Sequence, residues 1–411
     1  MRSTPAALGG PPAFAEPVAL TRPTVPPPDA VADDIGAVLE SGMLTNGRHV
    51  AAFESAVAAY LGVPHVVAVS NCTTGLVLLL RCLGVRGSVV LPSFTFMATG
   101  HAADWNGLDI RFADSAPRTC TVDPASVRAG MDADCGAVMA VHTFGAPCAV
   151  DELQGLCDRS GVPLVVDAAH GFGAGYPDGT MVGGKATAEV FSLSPTKTLS
   201  TGEGGLIATR DADLAAELRV AREYGNPGTY DSRFIGLNGR MTELSGLLGH
   251  AALARFPEWL ERRRRLAESY VSHLAGLPGI SFQEVPAGAR SSYKDFTVAV
   301  DPAGFGLTRD QLAECLRREN VSTRSYFSPP LHRQTAYRRF RPTVPLTGTD
   351  TLAERRLTLP LYSHMPADVV ERICAVVHTL HRHREELAAR LVAGPGAAAG
   401  SRAAAGPGAA A

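Results

Sequence analysis

One lysine, Lys197, stands in the run Phe191-Ser-Leu-Ser-Pro-Thr-Lys-Thr-Leu-Ser-Thr-Gly-Glu-Gly-Gly205, between a hydroxyl-rich segment and a glycine cluster. Asp167 lies upstream of it in Leu164-Val-Val-Asp-Ala-Ala-His170. An amine and a carboxylate placed in this way suit pyridoxal phosphate chemistry. The amine forms a Schiff base with the cofactor aldehyde, while a carboxylate on a buried strand keeps the pyridine nitrogen protonated, so that the ring acts as an electron sink. Lys197 and Asp167 are the candidate pair. Taken singly, each has a plainer explanation: a solvated surface lysine, and a cap for the turn that follows Asp167.

These residues need a scaffold, and the hydropathy pattern describes one. Val66-Val-Ala-Val, Ser88-Val-Val-Leu-Pro, Asp109-Ile-Arg-Phe, Ala137-Val-Met-Ala-Val, Leu164-Val-Val and Glu189-Val-Phe-Ser read as buried strands separated by longer amphipathic stretches. Repeated strand, helix, strand units imply an α/β fold with a mostly parallel sheet, in which ligands collect at the carboxyl ends of strands and at helix N-termini. Asp167, Thr73 and Ser192 fall at such positions. Near Ala251 the pattern changes to a long helix through Phe256-Pro-Glu-Trp, followed by mixed strands and helices. This predicts a large domain over 29–250 and a smaller α+β domain over 251–391. Residues 1–28, rich in Pro and Ala, read as an extended arm draped over a partner, and the Ala/Gly/Pro stretch 392–411 reads as a disordered tail.

Composition limits the function classes. The chain has 411 residues, 45% hydrophobic and 19% charged, with a net charge of -2, so no global field draws it to nucleic acid or to an anionic membrane. The longest apolar run, Gly75 to Leu80, stops at Arg81, far short of the roughly 20 residues of a bilayer span. A cytoplasmic enzyme is the expectation. The eight cysteines form no C-x-x-C pair, the histidines show no H-E-x-x-H pattern, and no metal site is expected. Gly179-Thr-Met-Val-Gly-Gly-Lys185-Ala approaches a phosphate-binding loop but ends in Ala186, so a hairpin turn is the better reading. The runs Arg262 to Arg265 and His381 to Glu386 read as charged helix faces.

Ten short segments add a resemblance: Ser41-Gly, Phe53-Glu, Asn71-Cys-Thr-Thr-Gly, Pro92-Ser-Phe-Thr-Phe-Met-Ala-Thr, His142-Thr-Phe-Gly, Asp167-Ala-Ala-His, Pro195-Thr-Lys, Gly202-Glu-Gly-Gly, Asn238-Gly-Arg-Met-Thr-Glu and Pro329-Pro-Leu-His. In this order they resemble the motif series of the DegT/DnrJ/StrS nucleotide-sugar aminotransferases. The resemblance implies a fold-type I, aspartate-aminotransferase-like homodimer with shared active sites and pyridoxal 5'-phosphate as cofactor. It gives Lys197 the Schiff base, Asp167 the pyridine nitrogen, and His170 a hydrogen bond to the cofactor's phenolic oxygen. It assigns the phosphate to Thr73, the Thr74 amide, Ser192 and, from the second subunit, Asn238, and it stacks Phe96 on the ring. From the residues alone Phe96 is equally well a core aromatic.

The same resemblance implies Arg240, Tyr326, Phe327 and His332 as substrate contacts. Tyr326-Phe327 stands where many relatives carry a histidine and a tyrosine, and Ser194 replaces a common histidine near the lysine. The expected reaction transfers an amine from L-glutamate to a nucleotide-linked 4-keto-6-deoxyhexose, dTDP-4-keto-6-deoxy-D-glucose, in deoxysugar biosynthesis of the antibiotic type. Amination at carbon 3, or of a keto-inositol, is the alternative. A sugar dehydratase of this kind replaces the lysine by histidine, and a noncatalytic sensor loses the lysine or the aspartate; Lys197 and Asp167 argue against both.

Overall fold

The computed structural model describes residues 4–340, 342 and 344–393. Seven strands build the large sheet: β1 (His65–Val69), β2 (Ser88–Pro92), β3 (Asp109–Ala113), β4 (Cys135–Val141), β5 (Leu164–Asp167), β6 (Ala188–Ser192) and β7 (Gly205–Thr209). Their order is β1-β7-β6-β5-β4-β2-β3. From β6 to β3 every pairing is parallel, while β7 runs antiparallel to both β6 and β1. The hydropathy reading reaches six of these strands and passes over β7, whose Gly205-Leu-Ile-Ala-Thr follows directly on the glycine cluster. All five of its residues are buried. Gly205 is required there, because a Cβ would lie 2.5 Å from the carbonyl carbon of Asn71.

Apolar runs on the central strands bury both faces, as a sheet covered by helices demands. One face packs Phe53, Phe172, Phe191 and Phe256, and the other packs Leu76, Leu79, Phe112 and Tyr337. Asp167 ends β5, where Val141 of β4 and Val190 of β6 flank it in register. A carboxylate is thereby fixed at the carboxyl edge of the middle strand.

A second core forms around an antiparallel sheet of order β10-β9-β8, with β8 (Ile280–Phe282), β9 (Phe296–Val300) and β10 (Arg356–Leu359). The helix Glu243–Leu274 connects the two cores. Its Leu253, Phe256, Trp259 and Leu260 belong to the large core, and its Leu266, Ala267, Tyr270 and Leu274 to the small one. Position 250 therefore falls inside a continuous helix. Pro257 also sits within it, where its ring removes one backbone donor from the ladder.

Part of the N-terminal arm packs on its own chain. Ala7, Phe14 and Val18 are buried in the small core. Glu319 accepts the Ala6 and Ala13 amides at 2.7 Å each, and the Arg372 guanidinium lies 4.2 Å from the Phe14 ring centroid. Burial of three apolar side chains with two charge-assisted hydrogen bonds offsets the ordering cost of a short Pro-rich segment. The tail expected over 392–411 lies, from residue 394 on, outside the described residues. Among the described residues no helix is long and apolar enough to cross a membrane. All eight cysteines are free and six are buried. The segment after Gly175 turns back through a Tyr176 N–H to Thr180 carbonyl bond of 2.8 Å, and Lys185 pairs with Asp151 and Asp178.

Candidate active site

A cavity of about 700 Å³ opens at the carboxyl edge of β5 and β6, against the first turn of the helix Cys72–Cys82. Asp167, Lys197, His170, Thr73, Thr74, Ser192, Phe96, Tyr326 and Phe327 all line it.

Asp167 is 4% exposed. Its Oδ2 accepts the Thr99 hydroxyl at 2.7 Å and its Oδ1 accepts the Ala169 amide at 3.1 Å, with the Cys72 thiol at 4.0 Å. Burial pushes the carboxyl's pKa up; Thr99 and the Ala169 amide oppose the rise. Neutral donors thus hold a buried carboxylate that forms no ion pair among the described residues. Lys197 ends a turn closed by its amide on the Ser194 carbonyl, 3.0 Å away. Burial, and after it the charge of Lys294, lowers its amine to about 8.

His170 is oriented from behind. Its Nδ1 accepts the Phe144 amide at 3.2 Å, which places the proton of the neutral ring on Nε2. Burial first, then the charges of Lys197 and Lys294, push its pKa well down, so the neutral form is the resting one. Phe327 stacks on the imidazole at 6.4 Å and 18°, and itself packs with Phe94, Phe144 and, more loosely, Phe96.

At the helix N-terminus Asn71 is the cap, its Oδ1 accepting the Thr74 amide at 2.8 Å. The Thr74 hydroxyl in turn accepts from Ser70 at 3.2 Å. Thr73 keeps a hydroxyl with no partner among the described residues, and Ser192 accepts only a long 3.5 Å contact from the Ser194 amide.

Three expected residues lie elsewhere. Asn238 is exposed and bridges Glu223, and Arg240 pairs with Glu223 at 3.2 Å; neither reaches this chain's own cavity, although their neighbour Leu237 does. His332 is not part of the cavity wall either. Its Nδ1 lies 2.7 Å from the Ser93 hydroxyl of the large domain and its Nε2 3.3 Å from Asp350 on the helix Thr347–Arg355, so both ring nitrogens are engaged within the protein. Motif reading, conversely, does not single out Thr99, Lys294 or Asp295. Thr99 carries a faint signal, since it closes the Pro92 to Thr99 motif; Asp295 carries none.

The donor set fits pyridoxal phosphate. A buried carboxylate lacking a cation, an amine of lowered pKa, a neutral histidine with Nε2–H presented, and a helix N-terminus meet on one cavity. Residues 29–378 match the DegT/DnrJ/EryC1/StrS aminotransferase family. The chain belongs to that family. It is an aminotransferase of the pyridoxal-phosphate-dependent, fold-type I class. It is 32% identical, over 84% of its length and 90% of the relative's, to the dTDP-3-amino-3,4,6-trideoxy-alpha-D-glucose transaminase of Streptomyces venezuelae. To the dTDP-4-amino-4,6-dideoxy-D-glucose transaminase of Escherichia coli it is 27% identical, over 87% of this chain and 96% of that one. Among solved structures, DesI crystallised in the presence of its TDP-sugar product superposes with a TM-score of 0.90 at 38% identity, covering 95% of this chain and 99% of that chain.

Proposed function

We propose that this aminotransferase carries pyridoxal phosphate on Lys197 and transfers an amino group from L-glutamate to dTDP-4-keto-6-deoxy-D-glucose, yielding the 4-amino sugar nucleotide. The observation that carries the reading is the meeting of Lys197 with a cation-deficient, buried Asp167 on one cavity. The similarity to DesI, whose structure was determined with a TDP-sugar product, supports a thymidine-linked sugar. Amination at carbon 3 is the second reading, favoured by the name of the Streptomyces venezuelae relative.

When bound, the cofactor supplies an aldehyde and an electron-accepting ring. Asp167 holds the proton on the ring nitrogen, and its burial makes that charge pairing strong. His170 offers Nε2–H to the phenolic oxygen. Thr73 and Ser192, with the positive end of the helix Cys72–Cys82, hold the phosphate. Phe96 covers a face of the ring. With its amine free, Lys197 would take the proton from the donor's α carbon and later deliver one to carbon 4 of the sugar. An amine near 8 keeps both its free-base and protonated forms accessible close to neutral pH, so it serves in both directions.

The active unit in this proposal is a homodimer working in the cytoplasm. Trp105 and Leu237 at the cavity rim and Tyr224 and Ile235 nearby in sequence are exposed to 80%, 39%, 53% and 79%, an apolar surface that a second copy would cover. The exposed Asn238 and the partly buried Arg240 lie in the same segment and would reach the neighbouring cavity. Incubating the enzyme with glutamate and either dTDP- or UDP-4-keto-6-deoxyglucose, and locating the new amine by NMR, tests the reading. Product aminated at carbon 4 only from the thymidine substrate is the expected result. Turnover of a 3-keto sugar in preference to it overturns the choice of carbon.

A further inference from the structure

Arginine supplies almost all of this chain's positive charge: 35 arginines stand against three lysines, Lys185, Lys197 and Lys294. Lys185 is accounted for by its pairs with Asp151 and Asp178. Both of the others line the same cavity. Lys197 must be an amine. Lys294 has no such obligation, and it sits where a compact, strongly hydrated ammonium has been kept in place of the planar guanidinium used elsewhere.

Its position is built and not incidental. Lys294 and Asp295 are 5% and 6% exposed. The ammonium lies 2.9 and 3.1 Å from the two Asp295 oxygens, and 5.7 Å from the centroid of the Tyr326 ring. Arg263, on the helix that joins the two cores, donates to the carbonyls of Tyr293, Lys294 and Leu361. The amides of Ser292 and Asp295 bond to the carbonyls of Gly145 and Phe144, and the Ser292 hydroxyl donates to the His170 carbonyl at 2.6 Å. The segment is thus laced to both domains beside His170, on the side of the cavity formed by Tyr326 and Phe327.

We propose that Lys294, braced by Asp295, receives the carboxylate of the amino donor. The inference rests on the reading of this cavity as an aminotransferase site and adds the residue that recognises the donor. Every amino-acid donor brings a carboxylate, and moving that anion into a cavity walled largely by apolar groups is costly unless a cation meets it. Among the described residues of the cavity wall the cations are Lys197 and Lys294, and the nitrogen of Lys197 is committed to bond making. An ammonium has three N–H donors; with two directed at Asp295, one remains for a second acceptor.

The built-in counter-ion explains how one cavity serves two unlike substrates. In the donor half-reaction a carboxylate shares Lys294 with Asp295. In the acceptor half-reaction the sugar brings no carboxylate, and Lys294 falls back on Asp295 without leaving a buried charge unpaired. An arginine fork dedicated to a carboxylate would be stranded in that second state.

The test compares Lys294→Met, Lys294→Arg and the double variant Lys294→Met/Asp295→Asn with wild type, using Lys185→Met as the control. Calorimetry with glutarate, a dicarboxylate that cannot react, reads donor-type binding to the holoenzyme. Single-turnover absorbance changes read the glutamate and keto-sugar half-reactions separately. Loss of Lys294 should weaken glutarate and raise the glutamate concentration for half-maximal rate by about tenfold to a hundredfold. The keto-sugar half-reaction should lose at least about tenfold less than the glutamate half-reaction, since it feels only the altered charge beside Lys197, and Lys294→Arg should recover part of the glutarate binding. The double variant removes both charges, so it reports even if Lys294→Met, with Asp295 unpaired, fails to fold. Glutarate binding unchanged within about twofold, or equal losses in the two half-reactions, overturns the proposal. So does loss of glutarate binding in Arg240→Met with retention in Lys294→Met, which would move the donor anchor to the partner subunit. A wild-type enzyme that accepts no amine from any amino acid would instead sink the functional reading itself.

Discussion

Replacing Lys197 by Met should abolish turnover and, in the cofactor-free protein at neutral pH, raise stability. The amine is held at about 8 against 10.5, chiefly by burial and next by the charge of Lys294. A lysine with lower proton affinity folded than unfolded leaves the unfolded chain with more bound protons between those two values. Its cost to folding is therefore complete below pH 8 and declines as pH rises toward 10.5. The difference corresponds to at most about 3 kcal/mol. Because Lys197 is only half-buried and faces a cavity that water enters, screening reduces this to roughly 2 kcal/mol. Methionine also gains apolar burial, but that gain does not depend on pH. Urea unfolding of both cofactor-free proteins, at one protein concentration, should show the variant more stable at pH 7. The advantage should shrink by roughly 1 kcal/mol at pH 9.5. An advantage that is constant or grows over that interval refutes the lowered proton affinity of Lys197 in the folded protein.

Asp167→Asn should slow the donor half-reaction by about a thousandfold or more, at ~1.4 kcal/mol per factor of ten, without lowering stability, since it removes a charge that burial disfavours; a rate within about threefold of wild type, read by single-turnover absorbance, would make Asp167 a structural cap. Mixing inactive Lys197→Ala with inactive Asn238→Asp should restore about a quarter of wild-type activity, because half of the randomly exchanged dimers carry one intact site out of two. No recovery despite demonstrated subunit exchange would place Asn238 in its own subunit's chemistry. Asn71→Ala should cost about 1 kcal/mol of stability through loss of the cap on the Thr74 amide, measured by denaturant unfolding, and a change of only a few tenths would contradict that cap.

The parts legible in the sequence are those whose physics is local. Strands buried on both faces must be apolar along their whole length, so six of the seven strands of the large sheet announce themselves as short runs. Lys197 and Asp167 are visible because a lone lysine in a hydroxyl and glycine run, and a carboxylate at the end of Leu164-Val-Val, are chemically conspicuous. Folding alone decided the rest. Gly205–Thr209 enters the sheet as its one antiparallel member because β1 and β6 leave an edge between them, a fact that no neighbouring residue encodes. The hydroxyl that steadies Asp167 comes from Thr99, and the arm that the composition marks as extended finds its seat on Glu319 and Phe14's pocket in the small core. Lys294 reaches the cavity of Lys197 only because Arg263 and the carbonyls of Phe144 and Gly145 hold its strand entry against the large domain. Hydrophobic period and residue chemistry act over a few neighbours and can be read along the chain, whereas a hydrogen-bond partner or a counter-ion is chosen by whichever distant segment the packed core brings within about 3 Å.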